Sequence, residues 1–172
     1  MIRPYKSRVP AIHETAYVDA SAQVIGDVVV GAESSVWMNV VIRGDVNYIR
    51  IGRQTSVQDG TVVHVNHEPS HPTVVGDQVT VGHGVILHGC TVENRCLIGM
   101  GAILLNGSHI GSDSIVAAGA LVTERIRIPP RSLVMGSPAK VKRSLTDEEL
   151  AFILQGADNY VRYRLDYMSD CS

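Results

Sequence analysis

Aliphatic residues recur along this chain at every sixth position. Val18, Val24, Val30, Val36 and Ile42 share one register. After a slip come Ile51, Val57 and Val63, then Val75, Val81 and Leu87. A last run holds Val92, Ile98, Leu104, Ile110, Val116, Val122, Ile128 and Val134. Neither the helical period of about 3.6 nor the strand period of about two generates such a series. Glycine directly follows an aliphatic residue at Ile25-Gly26, Val30-Gly31, Ile51-Gly52, Val75-Gly76, Val81-Gly82, Ile98-Gly99 and Ile110-Gly111. The pattern predicts a parallel β-solenoid, with each hexapeptide forming one side. A short strand points one aliphatic side chain inward, and a corner of small residues or residues tolerant of positive φ turns the chain. Three sides make a coil of about eighteen residues. A β-sandwich would instead alternate apolar and polar positions with turns every 8–12 residues or so.

The solenoid is expected over residues 1–143 and a different unit over 144–172. Pro129-Pro130 interrupts the coils, and Gly136-Ser137-Pro138-Ala139 reads as an exit turn. Thr146 with Glu149 is a capping box. Leu150, Ile153, Leu154, Ala157, Val161 and Leu165 then recur at helical spacing. A helix over 147–167 should lie back along one face of the prism on that apolar stripe.

Composition sharpens this picture modestly. Aromatic residues make up 5%, which suits a narrow aliphatic interior better than a layered core. A net charge of -2 gives no electrostatic reason to expect nucleic acid or an anionic membrane as partner. Met1 to Val18 holds no run of signal-peptide length, and no long apolar stretch occurs elsewhere, so a soluble cytoplasmic protein is expected. Cys90, Cys96 and Cys171 are odd in number and form no CxxC pair, so Cys90 and Cys96 read as buried thiols rather than a disulfide framework.

The histidines change the picture most. His13 and His109 read as surface or corner residues, whereas the other five fall between 64 and 88. His64 follows Val63 and His88 follows Leu87, so both hold one position within the hexapeptide. One coil plus one extra hexapeptide separates them. The stretch His67-Glu68-Pro69-Ser70-His71-Pro72 breaks the aliphatic pattern and reads as an excursion. With it looped out, His64 and His88 stack about 4.8 Å apart on adjacent coils. That suits two ligands of one metal with bonds of about 2.0–2.1 Å. His83 sits one position later in its own hexapeptide and should point away near an edge. In a threefold trimer it would meet His64 and His88 of the next subunit.

The runs VIRGDV (41–46), SVQDGTVVH (56–64), VTVGHGVILHGC (79–90), GMGA (99–102) and MGSPAKVKR (135–143) resemble the γ-class carbonic anhydrase family over nearly the whole chain. The resemblance implies a left-handed β-helix and a homotrimer. It also implies Zn2+ or Fe2+ held by His64, His83 and His88, two from one subunit and one from its neighbour. The activity it implies is reversible hydration of carbon dioxide to bicarbonate by a metal-bound hydroxide. Three neutral imidazoles leave a coordination position for water, whose pKa falls to about 7, and carbonic anhydrase is itself the standard example of this effect. Gln58 matches the family residue that orients water or substrate. Tyr160 falls near the match in the C-terminal helix, with core packing as its alternative role. Arg43, Asp45 and Asp59 match a polar network at the subunit interface, read here as ion pairs that hold the trimer.

Two positions depart from the founding type of the family. Val46 stands where that type has glutamate, and the excursion is short where it has a long acidic loop. His67, Glu68 and His71 are candidate substitutes for the proton shuttle, since imidazole titrates near 6.5 or so. Two other functions compete with the hydratase. One is acyl transfer or thioester hydrolysis on coenzyme A with an intersubunit histidine as base. The other is a metal-binding scaffold of the same family with weak turnover.

Overall fold

The computed structural model describes residues 1–170; Cys171 lies outside them. The chain winds into a parallel β-solenoid of about seven turns, closed by one C-terminal helix. Three faces repeat in the same order. The first carries Val62–His64, Ile86–His88, Ile103–Leu104 and Leu121–Val122. The second carries Thr73–Val75, Thr91–Val92, His109–Ile110 and Arg127–Ile128. The third carries Ser35–Val36, Ser56–Val57, Thr80–Val81, Leu97–Ile98, Ile115–Val116 and Ser132–Gly136. Two longer strands, Gln23–Val30 and Val41–Ile51, run round a corner and join the first two faces into one sheet.

The hexapeptide register is the core. Every aliphatic position of the repeat from Val24 to Val134 is buried in one continuous cluster; Val18 packs against its end. β-branched residues fit these strands because a branched side chain packs well on a pleated, half-buried surface. The corner between the second and third faces takes Glu33, Gln54, Gln78, Arg95, Asp113 and Arg131 at φ of 53 to 60°. Each coil's corner amide there donates to the coil below, as in Gln78 N to Arg53 O at 2.8 Å and Arg95 N to Asp77 O at 2.9 Å. These bonds recover part of the cost of a left-handed backbone, about 1–2 kcal/mol per residue.

The C-terminal end differs from the sequence expectation in three ways. Pro129-Pro130 occupies a corner, and the coils continue past it onto the third face through Ser132–Gly136. Ala139–Ser144 then pairs antiparallel with that strand, a partner that a six-residue period cannot reveal. The helix spans Asp147–Asp170. Its capping box forms as expected, with Thr146 N donating to Glu149 at 2.9 Å and Glu149 N donating to Thr146 Oγ1 at 3.2 Å. Its inner face is Ile153, Ala157, Tyr160 and Arg164 rather than the full apolar stripe. Leu154 and Leu165 are 38% and 51% exposed, whereas Arg164 is buried and reaches Glu33 at 3.4 Å. Spacings of four, three and four residues set that face; Leu165 lies a further 100° or so round the helix.

Cys90 and Cys96 are buried as expected, and loss of hydration pushes both thiols up to about 12. They are inert at neutral pH. Ile98 is fully buried in the middle coils. Ile98→Ala should lower unfolding stability by about 2–5 kcal/mol in a urea titration.

Candidate metal centre

His64 and His88 end two adjacent strands of the first face and pair directly, His88 opposite His64. The excursion that makes this register work folds down at the same corner. Asn47 Nδ2 donates to the carbonyls of Asn66 and Glu68 at 3.1 and 2.9 Å. Thr73 Oγ1 donates to His64 O and in turn accepts from Gly89 N. The inserted loop is thus pinned at both ends, and the coils above and below keep their stacking.

Stacking brings His64 Nδ1 within 3.2 Å of His88 Nε2. The other nitrogen of each ring is committed elsewhere. His64 Nε2 lies 3.0 Å from Asp45 Oδ1, and His88 Nδ1 lies 2.8 Å from Asn106 Oδ1. Both acceptors are oxygens, which suits a proton on the outer nitrogen of each ring. In that tautomer two lone pairs face each other, an arrangement that a cation bound by both would stabilise. Two nitrogens bound to one tetrahedral zinc at about 2.0–2.1 Å stand roughly 3.3 Å apart, close to the spacing found. Outer oxygen partners of this kind commonly orient metal-ligating imidazoles.

Electrostatics favours neutral imidazole at this position. Loss of hydration lowers the His64 pKa below its ordinary value, and the hydrogen bond it donates to Asp45 only partly opposes this. Burial by itself raises Asp45. Its bonds to His64 and Arg43, with the Arg43 charge, outweigh that and leave the carboxyl below the usual range. Arg43 also forms an ion pair with Asp45, so Arg43, Asp45, His64 and His88 make one connected group.

His83 is not part of that group. It sits beside a corner glycine, Gly84, on the opposite edge of the first face, half exposed, with its Nδ1 3.0 Å from Asp59 Oδ2. Among the described residues, no three His, Cys, Asp or Glu side chains of one chain converge on an ion position. Around His83 lies a cleft of about 320 Å³, lined by Gln58, Thr80, Leu97, Met100, Ala118 and Tyr160 among others. Gln58 is buried and hydrogen-bonds Tyr160. Burial raises that phenol, as do the charges of Asp59 and Tyr163. Trp37 holds Tyr160 edge-on at 5.8 Å between ring centroids, with its own indole N–H on Ser35 and Ser56. Tyr160 therefore both packs and faces the cleft.

The structure thus divides the sequence candidates between two corners. Arg43, Asp45, His64 and His88 lie at one; Gln58, Asp59, His83 and Tyr160 lie at the other. Asp59 pairs with His83, not with Arg43 and Asp45. Of the loop residues, His67 is exposed, and His71 Nδ1 lies 3.1 Å from Glu68 Oε2 while its ring packs over Gly107 and its Cβ and carbonyl sit against Gly89. Asn106 is a site residue that sequence reasoning missed. The only signal was its place one coil after His88.

Comparison with known proteins fits this layout. A family model for the bacterial transferase hexapeptide (six repeats) matches residues 89–124. Protein YrdA of Escherichia coli is 44% identical over 98% of this chain and 94% of its own length. A protein named carbonic anhydrase from Geobacillus kaustophilus is 44% identical over 87% of this chain and 81% of its own. The chain belongs to the γ-class carbonic anhydrase family. Gamma carbonic anhydrase 1, mitochondrial, of Arabidopsis thaliana is 49% identical over 89% of this chain. This chain spans 57% and 60% of the two Arabidopsis relatives it matches. A Bacillus cereus crystal structure described as a putative acetyltransferase superposes with a TM-score of 0.95 at 43% identity, over 98% of this chain and 96% of that one.

Because protons compete with metal for imidazole nitrogen, acid should release bound metal. The lowered His64 pKa sets the sign: that ring stays unprotonated somewhat below 6.5. A zinc-affinity titration should show the His64-linked fall beginning below 6.5 rather than at it.

Proposed function

We propose that this chain is a metal-dependent enzyme that reversibly hydrates carbon dioxide to bicarbonate, with each site closed between subunits of a homotrimer. The observation that carries the reading is the pair of inward-facing nitrogens, His64 Nδ1 and His88 Nε2, 3.2 Å apart with their outer nitrogens already bound. The donor set fits Zn2+ or Fe2+, with His64 and His88 from one chain and His83 from the next. When bound, the metal acts as a Lewis acid that lowers the pKa of a coordinated water to about 7.

The residues of this chain divide the remaining work. Asp45, itself held by Arg43, accepts a hydrogen bond from Nε2–H of His64 and orients the ring, while burial favours its neutral form. Gln58 offers an amide that both donates and accepts, fixed by burial and by Tyr160, at the cleft beside His83. Asp59 orients His83 through Nδ1, leaving Nε2 for the neighbour's site. The Glu68–His71 pair packs beside Gly89, next to His88, and is the candidate for carrying the released proton outward.

Two features support assembly. His83 and the His64–His88 pair occupy opposite edges of one face, so a threefold array brings unlike edges together. On the His83 edge, Gly60, Gly84, Gly101 and Gly119 stack at φ of 65 to 67°, and a Cβ at any of them would meet nothing within 4 Å. Another corner accepts glutamate, glutamine and arginine at nearly the same φ. The glycine edge leaves room for a neighbouring chain, and Val62, Ile86 and Met100 are exposed alongside it.

A second reading, transfer or hydrolysis of a short acyl group, is favoured by the apolar wall of the cleft, where Leu97, Met100 and Ala118 stand near His83. Stopped-flow carbon dioxide hydration with zinc- and ferrous-loaded protein, beside a coenzyme A thioester assay, separates the two. Hydration with no thioester turnover is the expected result; thioester turnover alone would replace the first reading with the second. Protein purified without chelators should contain about one metal per chain by elemental analysis. His83→Ala should lose most of that metal although His64 and His88 remain; unchanged occupancy would remove the intersubunit arrangement.

A further inference from the structure

We infer that Asn106 is the positioning residue of His88: it selects which nitrogen of that ring faces the metal position, with Glu124 fixing the direction of its amide and Gly89 providing the space. This rests on the metal reading above for its consequence, though not for its geometry.

Three observations converge. Asn106 Oδ1 lies 2.8 Å from His88 Nδ1. Asn106 Nδ2 lies 3.4 Å from Glu124 Oε1, one coil further on. A carboxylate only accepts, so the amide nitrogen must face Glu124 and the amide oxygen must face the histidine. An oxygen there accepts, so His88 holds its proton on Nδ1 and presents the Nε2 lone pair toward His64. The third observation is steric. A Cβ built on Gly89 would sit 2.5 Å from Asn106 Oδ1, in the place the amide occupies, and Gly89 has φ of +60°. Any side chain at 89 would push the amide away from the ring.

The consequence is an asymmetry between the two same-chain ligands. His64 is backed by a carboxylate that carries an ion pair, so its outer partner brings a charge. His88 is backed by a neutral amide that fixes its tautomer without adding charge. Asn106→Ala, or loss of amide direction, leaves His88 free to place its proton on Nε2, where it blocks coordination. Changing an outer partner of a metal-bound histidine commonly costs about 10–100-fold in metal affinity.

The test measures tautomer and affinity separately. Imidazole 15N spectra of the metal-free protein above pH 8 should show His88 with its proton on Nδ1. Asn106→Leu should move it to Nε2 in a large share of molecules and weaken zinc binding by about 10–100-fold. Asn106→Asp, which still accepts, should restore the Nδ1 proton and most of the affinity. Gly89→Ala should reproduce the tautomer change with Asn106 in place, which covers the case of an Asn106→Leu chain that does not fold. A His88 tautomer unchanged in both Asn106→Leu and Gly89→Ala overturns the inference. If the tautomer follows position 106 but the unsubstituted chain binds no zinc, the positioning role stands and the metal reading fails.

Discussion

The parallel register between successive coils is the constraint on which the molecule depends. Each strand is two or three residues long and could not hold its place alone. It is held because its aliphatic side chain is one step in a buried column and its amides bond the coil beneath. A slip of one residue would turn that side chain outward, so burial and hydrogen bonding enforce the same alignment. The column therefore does more than stabilise the chain. It sets which side chains, distant in sequence, stand next to each other at the corners.

That alignment survives the insertion at 67–72 because added loop length costs little closure entropy and because Asn47 and Thr73 tie the loop back to the coil. Because those six residues loop out instead of forming a side of the prism, His64 and His88 stack although 24 residues apart; as a side, they would set the two histidines one corner apart. The same register places Asn106 above His88 and Glu124 above Asn106, so the polar groups at this corner form a column of their own beside the aliphatic one.

In the proposed trimer the division of the site between two edges of one face ties metal binding to assembly. Neither edge holds a full ligand set: among the described residues of one chain, no three His, Cys, Asp or Glu side chains are placed to hold a metal ion. Each edge is nonetheless prepared in advance: Asp45 and Asn106 orient one pair of rings, and Asp59 orients His83. The Val46 position, half exposed beside Asp45, offers no titratable group, so in the proposed reaction proton removal is assigned to the loop carrying Glu68 and His71.

The six-residue period by itself determined the solenoid, its inward column and the stacking of His64 on His88, because all three follow from which residues face the interior. The capping box and the existence of the final helix were equally local. What only the tertiary structure decided were the polar partners and the exceptions: Asn106 on His88, Asp59 on His83 rather than beside Arg43, Arg164 in place of Leu165 on the helix's inner face, and the antiparallel strand at the end of the coils. Periodicity records burial, which has a fixed direction at each position. A hydrogen bond at a corner depends on the reach of two side chains and the φ of the residue between them, as Gly89 shows, and that information exists only once the coils are stacked.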